Sequence, residues 1–590
     1  MRVFVTASAL LAWSFLLAAS PGDNSNEIRS DTQLRVMADE LARSKGLRLN
    51  DLDKPYFVAY AIGDAESVFI DASLGGMTSA TRVHLRHPRV EVRVGDYKFD
   101  NTNSIYSATP QIGLFPIDDD YAAMRAELWL ATDSLYKAST DQITRKRAAL
   151  RELAEPEKTT DFAPANPVQV IQPVSALKID QRRWEAIVRD VSARFTAHPD
   201  VIRSDVKLRS IASTYRLVNS EGTVVRIPQD LSELEILSSG LAQNGSRVWN
   251  HQFFTVLRAS QLPKPEELAR SAELVATETE ALSKAPAAEE YSGPVLFEQE
   301  AADEMMAQVL TDAIRLQRKP VAPEGSNHPG LQIIESVWSA RVGSRVTPEW
   351  LNITDDPREE QFHGIPLAGH YVVDDEGVPA ERVTLVEKGI LKGFLFSRQP
   401  IREFARSNGH GRLPSGFGAE GAVIGNLFVQ ADQPVSEEQL KAKLLEKVKA
   451  AGLKYGMIIR RMDFPSTANF QELQSLARQL QKNGYARTLN TPLLAYRVYP
   501  DGREELVRGA RFKEFSAKDL RDIDAASDQP YVLNYVNNGS SFNLADVASD
   551  ATTSSVICPS LLFDSVDLGR ADDEAAKPPL VSPPALIAQQ

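Results

Sequence analysis

ERVTLVEKGILKGFLFSR, residues Glu381 to Arg398, is the stretch that decides how the second half of this chain is read. Apolar and polar residues alternate on either side of Lys388-Gly389, the pattern of two short strands joined by a tight turn. PLLAYRVYPDGREELVRGARF (Pro492 to Phe512) repeats the pattern around Asp501-Gly502. One helix interrupts the strands: SEEQLKAKLLEKVKAAGL opens with Ser436 and Gln439 in capping-box positions and stops at Gly452. A second helical piece spans Asn469 to Lys482. The second half therefore reads as mostly strand, with no internal repeat.

The first half alternates between the two periods. TQLRVMADELARSKGL has the spacing of an amphipathic helix, and the residues from Tyr56 to about Asn103 alternate as antiparallel strands do. Helical spacing returns over Tyr121 to Leu153, where the basic run ITRKRAALR (Ile143 to Arg151) reads as one solvated face. Residues 154–175, AEPEKTTDFAPANPVQVIQPVS, are proline-rich and read as a linker or an extended crossing segment. A helix near Arg182 to Thr196, further strands and a helix from Pro265 to Lys284 complete an N-terminal α/β domain over 23–285. A β-rich domain follows over 286–570. The tail, 571–590, has the composition of a disordered segment.

At 590 residues the chain is too long for one ordinary core. Its net charge of −13, with 66 lysines and arginines, leaves no basic surplus for nucleic acid, which that class of binding requires. Arg2 and an apolar run from Val3 to Ala19 have the form of an export signal occupying 1–22, with a mature chain beginning near Asp23. The expected location is periplasmic or extracellular, with no membrane span after cleavage; a retained N-terminal anchor is the alternative. The single cysteine, Cys558, excludes an internal disulfide, is a poor start for a thiolate metal site, and reads as a small buried apolar residue. Neither a Gly-x-Ser-x-Gly elbow nor a phosphate-binding glycine loop is present.

HYVVDDEGVPAERVTLVEKGILKGFLFS (His370 to Ser397) joins an acidic turn, Gly-x-Pro, a strand and an "ILKG" segment, and in this it resembles the TldD/PmbA family. NITDDP (Asn352 to Pro357), SNGHGR (Ser407 to Arg412), VNSEGT (Val218 to Thr223), VRGARF (Val507 to Phe512) and CPSLLFDSVDL (Cys558 to Leu568) also match. DASLGGMTSATR and RVGDYKFDNTN look like the strand region of exported members. The resemblance covers residues 30 to 570 and implies an α+β protein: an N-terminal α/β domain followed by a β-rich, barrel-like C-terminal domain. Family members are often described as modulators of DNA gyrase and are classed with zinc peptidases that cut unfolded peptides. They can work as a heterodimer in which one subunit has lost the metal site.

The family's zinc motif, His-Glu-x-x-x-His, stands on a helix after a "VLL"-type strand, with a cysteine further on. Imidazoles and a thiolate hold the zinc while the glutamate serves as general base. Here the strand is PVLF (Pro294 to Phe297). In one frame Glu298 and Asp303 fall on the histidine positions and Gln299 on the base. With one insertion, Gln299 and Glu304 fall on the histidines and Glu300 keeps the base. The cysteine position falls near Ala545 or Asp546, so Cys558 does not match it. No cofactor is therefore expected, and Glu300 and Glu304, four apart, read as a solvated helix face.

The resemblance predicts an exported, metallopeptidase-like protein acting as a non-catalytic peptide-binding or partner subunit. The alternative is an active peptidase using a carboxylate-bound metal or a partner subunit's zinc. Expected partners are unfolded peptides and a second subunit, either another copy or a catalytically competent relative. The expected peptide-binding residues are the strand edge Ile390, Leu391, Lys392 and Gly393, with His410 and Arg412 from the glycine-rich loop. Arg412 would take a peptide carboxylate.

Overall fold

The computed structural model describes residues 25–48, 52–107, 115–152, 159–326, 335–415, 419–464, 489–537 and 552–570. The signal at 1–22, the helical piece at 469–482, Ala545 and Asp546, and the tail at 571–590 lie outside them.

Two helices, α1 (Ser25–Ser30) and α2 (Thr32–Ser44), precede a long hairpin, β1 (Pro55–Ser73) and β2 (Gly76–Val94). Its turn residues, Leu74 and Gly75, both have positive φ (46° and 81°), as a two-residue hairpin turn requires. Then come α3 (Tyr121–Glu152), β3 (Gln169–Ile171), α4 (Gln181–Ala193), β4 (Val201–Asn219), β5 (Val224–Pro228), β6 (Leu231–Leu241), β7 (Arg247–Val256) and α5 (Pro265–Lys284). The strands make one seven-stranded sheet, ordered β2-β1-β4-β5-β3, with β6 on the other stretch of β4 and β7 on β6. Alternation along β1 assigns its two faces. Val58, Tyr60 and Ile62 meet α2 and α3, and Val68, Ile70 and Ala72 meet α4 and α5. Phe57, Ala59 and Ala61 point the other way, toward Phe162 and Val373.

Phe162 settles the role of the proline-rich stretch. Its described part, from residue 159, is a crossing segment and not a free linker: Asp161, Phe162 and Ala163 are buried, and Ala163 N–H donates to the Arg398 carbonyl at 2.8 Å. The basic run of α3 is likewise not one solvated face. Arg145 and Arg147 are exposed, but Ile143 and Lys146 are buried, and Lys146 donates to Asp161 Oδ2 at 2.6 Å.

The chain then enters a second sheet with β8 (Tyr291–Phe297), followed by α6 (Glu300–Ala313), β9 (Leu351–Asp355), β10 (Gln361–Phe362), β11 (Ile365–Pro366), β12 (Val383–Glu387) and β13 (Ile390–Leu391). β14 (Gly411–Ser415), β15 (Ala419–Ala422), β16 (Asn426–Ala431), α7 (Glu437–Ala450), β17 (Gly456–Met462), β18 (Pro492–Val498), β19 (Glu504–Val507), β20 (Ala510–Phe512), β21 (Ile523–Asn537) and β22 (Thr552–Arg570) follow. The sheet runs β13-β12-β9-β16-β22-β8-β17-β18-β19, with β20 and β21 also on β22. This path is open, ending at β13 and β19, so the expected barrel-like domain is a mixed sheet that does not close. Both expected hairpins form. Lys388 and Gly389 have φ of 48° and 74°, and a Cβ on Gly389 would lie 2.5 Å from the Thr347 carbonyl oxygen.

β8 places α6. Val295 and Phe297 face the core that holds α6, while Leu296 faces α7, whose Leu440, Leu444 and Val448 cover the other side. α6 is buried nearly all round, with Ala301, Ala302, Met305, Met306 and Leu310 fully covered. A helix apolar on every side belongs inside a core. The acids on its first turns are carried in with it.

Candidate functional site around the start of α6

β8 ends at Phe297 and the chain turns sharply into the helix. Gln299 carries the turn with φ 43° and ψ −112°, left-handed for a residue with a Cβ, and its N–H donates to Ser560 Oγ at 2.9 Å. Backbone strain of this kind costs on the order of 1–3 kcal/mol and concentrates at functional sites. Glu298, just before it, accepts from Arg460 Nε at 2.7 Å on the outer side of β17.

The next turn presents two groups on different sides, because adjacent helical residues do not face each other. Glu300 and Glu304 share one side and look toward β17. Glu304 is fully buried and its Oε2 accepts from the Met462 N–H at 2.7 Å, while Oε1 has no partner. Burial first, and then the neighbouring Glu300, push its pKa well above the ordinary carboxylate range, while the Met462 N–H and the Arg461 charge pull the other way. The expected solvated face is therefore corrected to a buried one.

Arg461 fills the space this pair looks into. Its guanidinium donates to Glu278 Oε2 at 3.0 Å, to Asn250 Oδ1 at 3.1 Å and to Glu300 Oε2 at 3.4 Å. Glu278 comes from α5 and Asn250 from β7, so this cation ties the first sheet and its helix to α6. His251, beside Asn250, is buried and stacks at 5.9 Å on Phe253. Burial, then the Arg461 charge, push its pKa down to about 3, and its Nε2 has no partner. It is a neutral imidazole entering from the first domain.

Asp303 points the other way, toward β22. It is fully buried and neither oxygen completes a hydrogen bond, although the Cys558 N–H lies near enough to pull its pKa back part of the way. Burial dominates and pushes the Asp303 pKa well up. Cys558 is also fully buried, its thiol pushed up by burial and by Asp303, and Sγ donates to the Pro559 carbonyl at 3.3 Å. The sequence reading that Cys558 is a small buried residue holds. Its nearness to α6 was not legible, since no spacing relates residues 303 and 558.

These donors do not fit zinc. The histidine positions carry Gln299 or acids, the thiol sits with Asp303 on one side, and the Glu300–Glu304 side already holds a guanidinium. Among the described residues no three His, Cys, Asp or Glu side chains converge on a common centre.

The expected peptide-binding residues are brought near one another but are engaged. The outer side of β13 is already paired: Gly343 N–H donates to the Leu391 carbonyl at 2.9 Å and Leu391 N–H to the Ser344 carbonyl at 3.0 Å. Lys392 pairs with Glu387 at 3.0 Å, and Gly393 leads into Phe396, which is hydrogen-bonded to Asn408 of the glycine-rich loop. His410 is fully buried between Asp355 Oδ1 at 3.1 Å and the Asn408 carbonyl at 2.9 Å. Arg412 is buried too, 4.3 Å above the Tyr371 ring, and donates to the Thr553 carbonyl at 3.1 Å. The expectation of an open edge and a free guanidinium is thus corrected. Short-range glycine and loop patterns located these residues, and distant partners that no pattern shows took up their bonding groups.

Comparison with known proteins meets this geometry at α6. Residues 290–463 match the PmbA/TldA metallopeptidase C-terminal domain. A metalloprotease of Archaeoglobus fulgidus is 36% identical over 77 residues, 13% of this chain and 17% of that protein. A metalloprotease of Methanocaldococcus jannaschii is 32% identical over 108 residues, 18% of this chain and 23% of that protein. These alignments thus span less than a quarter of either relative. Crystal structures share the fold over far more. A candidate modulator of a DNA gyrase from Thermotoga maritima superposes with a TM-score of 0.57 at 15% identity, covering 92% of this chain and 100% of that one. TldE from Thermococcus kodakarensis gives 0.54 at 12% identity, covering 91% and 100%. With a domain match that begins just before α6 and one fold along nearly its whole length, the chain carries a PmbA/TldA-type C-terminal domain and shares the fold of TldE and of the gyrase-modulator structure.

Proposed function

We propose that this chain is a non-hydrolytic member of its family, a partner or peptide-binding subunit that does no zinc chemistry at its own α6. The observation that supports this is the Arg461 guanidinium held by Glu278, Asn250 and Glu300 on the helix face where relatives would present the metal ligands. A resident cation of the protein's own removes the vacancy a metal ion needs. Glu304, on one of the two histidine positions, is a buried carboxyl already bonded to the Met462 N–H. The chain acts outside the cytosol in this reading, its mature form beginning near Asp23.

The test joins three measurements on purified full-length protein. Elemental analysis is expected to give far less than one zinc per chain. Unstructured peptides are expected to remain uncut with or without added zinc. Binding of those peptides, measured with zinc absent, separates the two roles: saturable binding identifies a peptide-binding subunit, and none leaves the partner role. Stoichiometric zinc together with cleavage that disappears in Glu300→Gln would overturn the proposal.

A further inference from the structure

β2 is the outermost strand of the first sheet, paired with β1 on one side. In an antiparallel pair every second residue turns its N–H and C=O toward the partner strand, and the residues between turn theirs away. Pro88 tells which set is which. It stands inside β2 opposite Ile62, and a proline is accommodated there when its nitrogen lies on the unpaired side. The even-numbered residues therefore face outward. Farther along the strand the same set is taken up by side chains: the Val92 carbonyl accepts from Ser139 Oγ at 2.9 Å, and the Val94 N–H donates to Asn101 Oδ1 at 2.9 Å. Before Pro88 the outward backbone groups of Ala80, Arg82, His84 and Arg86 have no such partner among the described residues. Ala80, Thr81, Arg82, His84 and Leu85 are exposed, and the register with β1 is unbroken from Ser79 to Arg93. The edge is thus one open hydrogen-bonding ladder from Ala80 to Arg86, the kind of edge another chain can extend.

We propose that this edge binds an extended polypeptide segment that alternates acidic and apolar residues, added to the sheet as a further strand. The ladder dictates the backbone, since an extended chain is what matches a row of alternating N–H and C=O groups. The two faces of β2 dictate the side chains. One face carries Arg82, His84 and Arg86, which reach Glu66 at 2.8 Å, Asp64 at 2.6 Å and Asp119 at 2.6 Å. Arg82 is 50% exposed, so a carboxylate on the added strand can share it with Glu66. The other face carries Val83 and Leu85, opposite the small Ser67 and Ala65 of β1, with Leu85 45% exposed. Apolar side chains of the added strand cover that strip. A second copy of β2 does not suit the edge. Two-fold pairing centred on His84 sets Arg82 opposite Arg86, and any register that engages most of the ladder sets basic against basic, which destabilises a sheet. The site rests on the peptide-binding form of the proposed function, and it belongs to the first sheet and not to α6.

The probe is a capped, end-labelled peptide alternating glutamate and valine, titrated with the purified full-length protein. Saturable binding is expected, at least tenfold tighter than that of a peptide alternating lysine and valine. His84→Pro, which removes one outward N–H, and Leu85→Lys are each expected to weaken it at least tenfold. Both positions are exposed, so unchanged circular dichroism and melting separate a lost site from a lost fold. N-methylation of the peptide gives a readout that needs no protein variant. Methyl groups on one alternate set of its amides are expected to abolish binding and on the other set to spare it, because one set alone faces β2. No saturable binding, equal effects of the two methylation patterns, or indifference to both substitutions would each overturn the proposal. Zinc content and peptide cleavage, which decide the non-hydrolytic reading, do not depend on this edge. Unstructured peptides that bind wild type and both variants equally would remove this site and leave the peptide-binding role standing.

Discussion

Two parts of this molecule bury charge, and they do so in opposite ways. In the first domain Lys146, 1% exposed, donates to Asp161, to the Asp100 carbonyl and to the Thr102 carbonyl. Asp161 also receives Arg318 at 3.2 Å and the Asp100 N–H at 2.8 Å. Phe162, the next residue, lies between the guanidiniums of Arg93 and Arg398, at 3.7 and 4.0 Å from its ring. Every charge there has an opposite one and a hydrogen bond. Around α6, by contrast, three carboxyl oxygens of Asp303 and Glu304 and the His251 Nε2 are buried with no partner. The first arrangement fastens the crossing segment to the sheet. The second holds carboxyls inside a core with their pKa values pushed up by burial, where a fold under selection for packing alone would have placed apolar residues.

The sharpest way to break the comparison is Lys146→Ala. It leaves Asp161 and Asp100 buried without one of their cations, and losing one partner of a buried pair costs about 3–5 kcal/mol. Chemical denaturation is expected to show that loss, with the crossing segment becoming sensitive to protease before the rest of the chain. A loss under about 1 kcal/mol would mean that the network is no clamp.

Arg461→Met probes the other region and is expected to cost less, about 1–3 kcal/mol. Glu278 and Glu300 keep some access to water and can recover solvation when their cation is removed. If Arg461 stands in for a metal, this variant is also the one most apt to gain divalent-cation binding, read as a calcium- or zinc-dependent rise in melting temperature that wild type lacks.

How much of this was legible in the sequence follows the range of the interactions. The turns at Lys388-Gly389 and Asp501-Gly502 and the Ser436 cap are set by neighbours within a few residues, and all three form as read. The degenerate motif at Glu298 to Glu304 was also visible, because it is local. Its environment was not. Periodicity says that Glu300 and Glu304 share a helix face, but whether that face meets water depends on β17 and α5. Arg461 lies 183 positions from Glu278 and 161 from Glu300. For the same reason Arg412 looked free until Thr553, 141 positions away, took its donor. Lys146 gave a clue that composition masked: it falls on the apolar stripe with Ile143 and Ala149, three residues from each.

The raised pKa values of Asp303 and Glu304 predict a pH dependence that the paired network does not. Asp303 and Glu304 have folded-state pKa values raised above their ordinary ones, so between the unfolded and the folded value the native state holds protons that the unfolded chain has released. Stability therefore falls as pH rises from about 4 toward neutrality, by about 1.4 kcal/mol per unit for each such group. Glu304→Gln keeps an oxygen for the Met462 N–H, and Asp303→Asn keeps the shape. Each is expected to flatten the decline and to stabilise the protein at pH 8 relative to wild type. His251, with its pKa pushed down to about 3, works in the opposite sense: the unfolded chain binds a proton first, so its contribution is lost below about pH 6.5. Unfolding curves for wild type and Glu304→Gln between pH 4 and pH 8 that run parallel would remove the raised Glu304 pKa.

The smallest effect should come from Glu298, the other acid in the degenerate motif. It meets Arg460, the neighbour of Arg461 on β17, but on the outer side, where Arg460 is 35% exposed and shared with Glu504 at 3.0 Å. Water screens that pair and Glu504 remains to hold the guanidinium, so Glu298→Gln is expected to cost about 0.2–1 kcal/mol. The cost should shrink further in high salt, which screens exposed pairs but leaves buried ones largely intact. Melting curves at low and high ionic strength decide it. A loss above 2 kcal/mol that survives high salt would place Glu298 in the buried network with Glu300 and Arg461, and the division of this strand into a solvated and a buried arginine would fall.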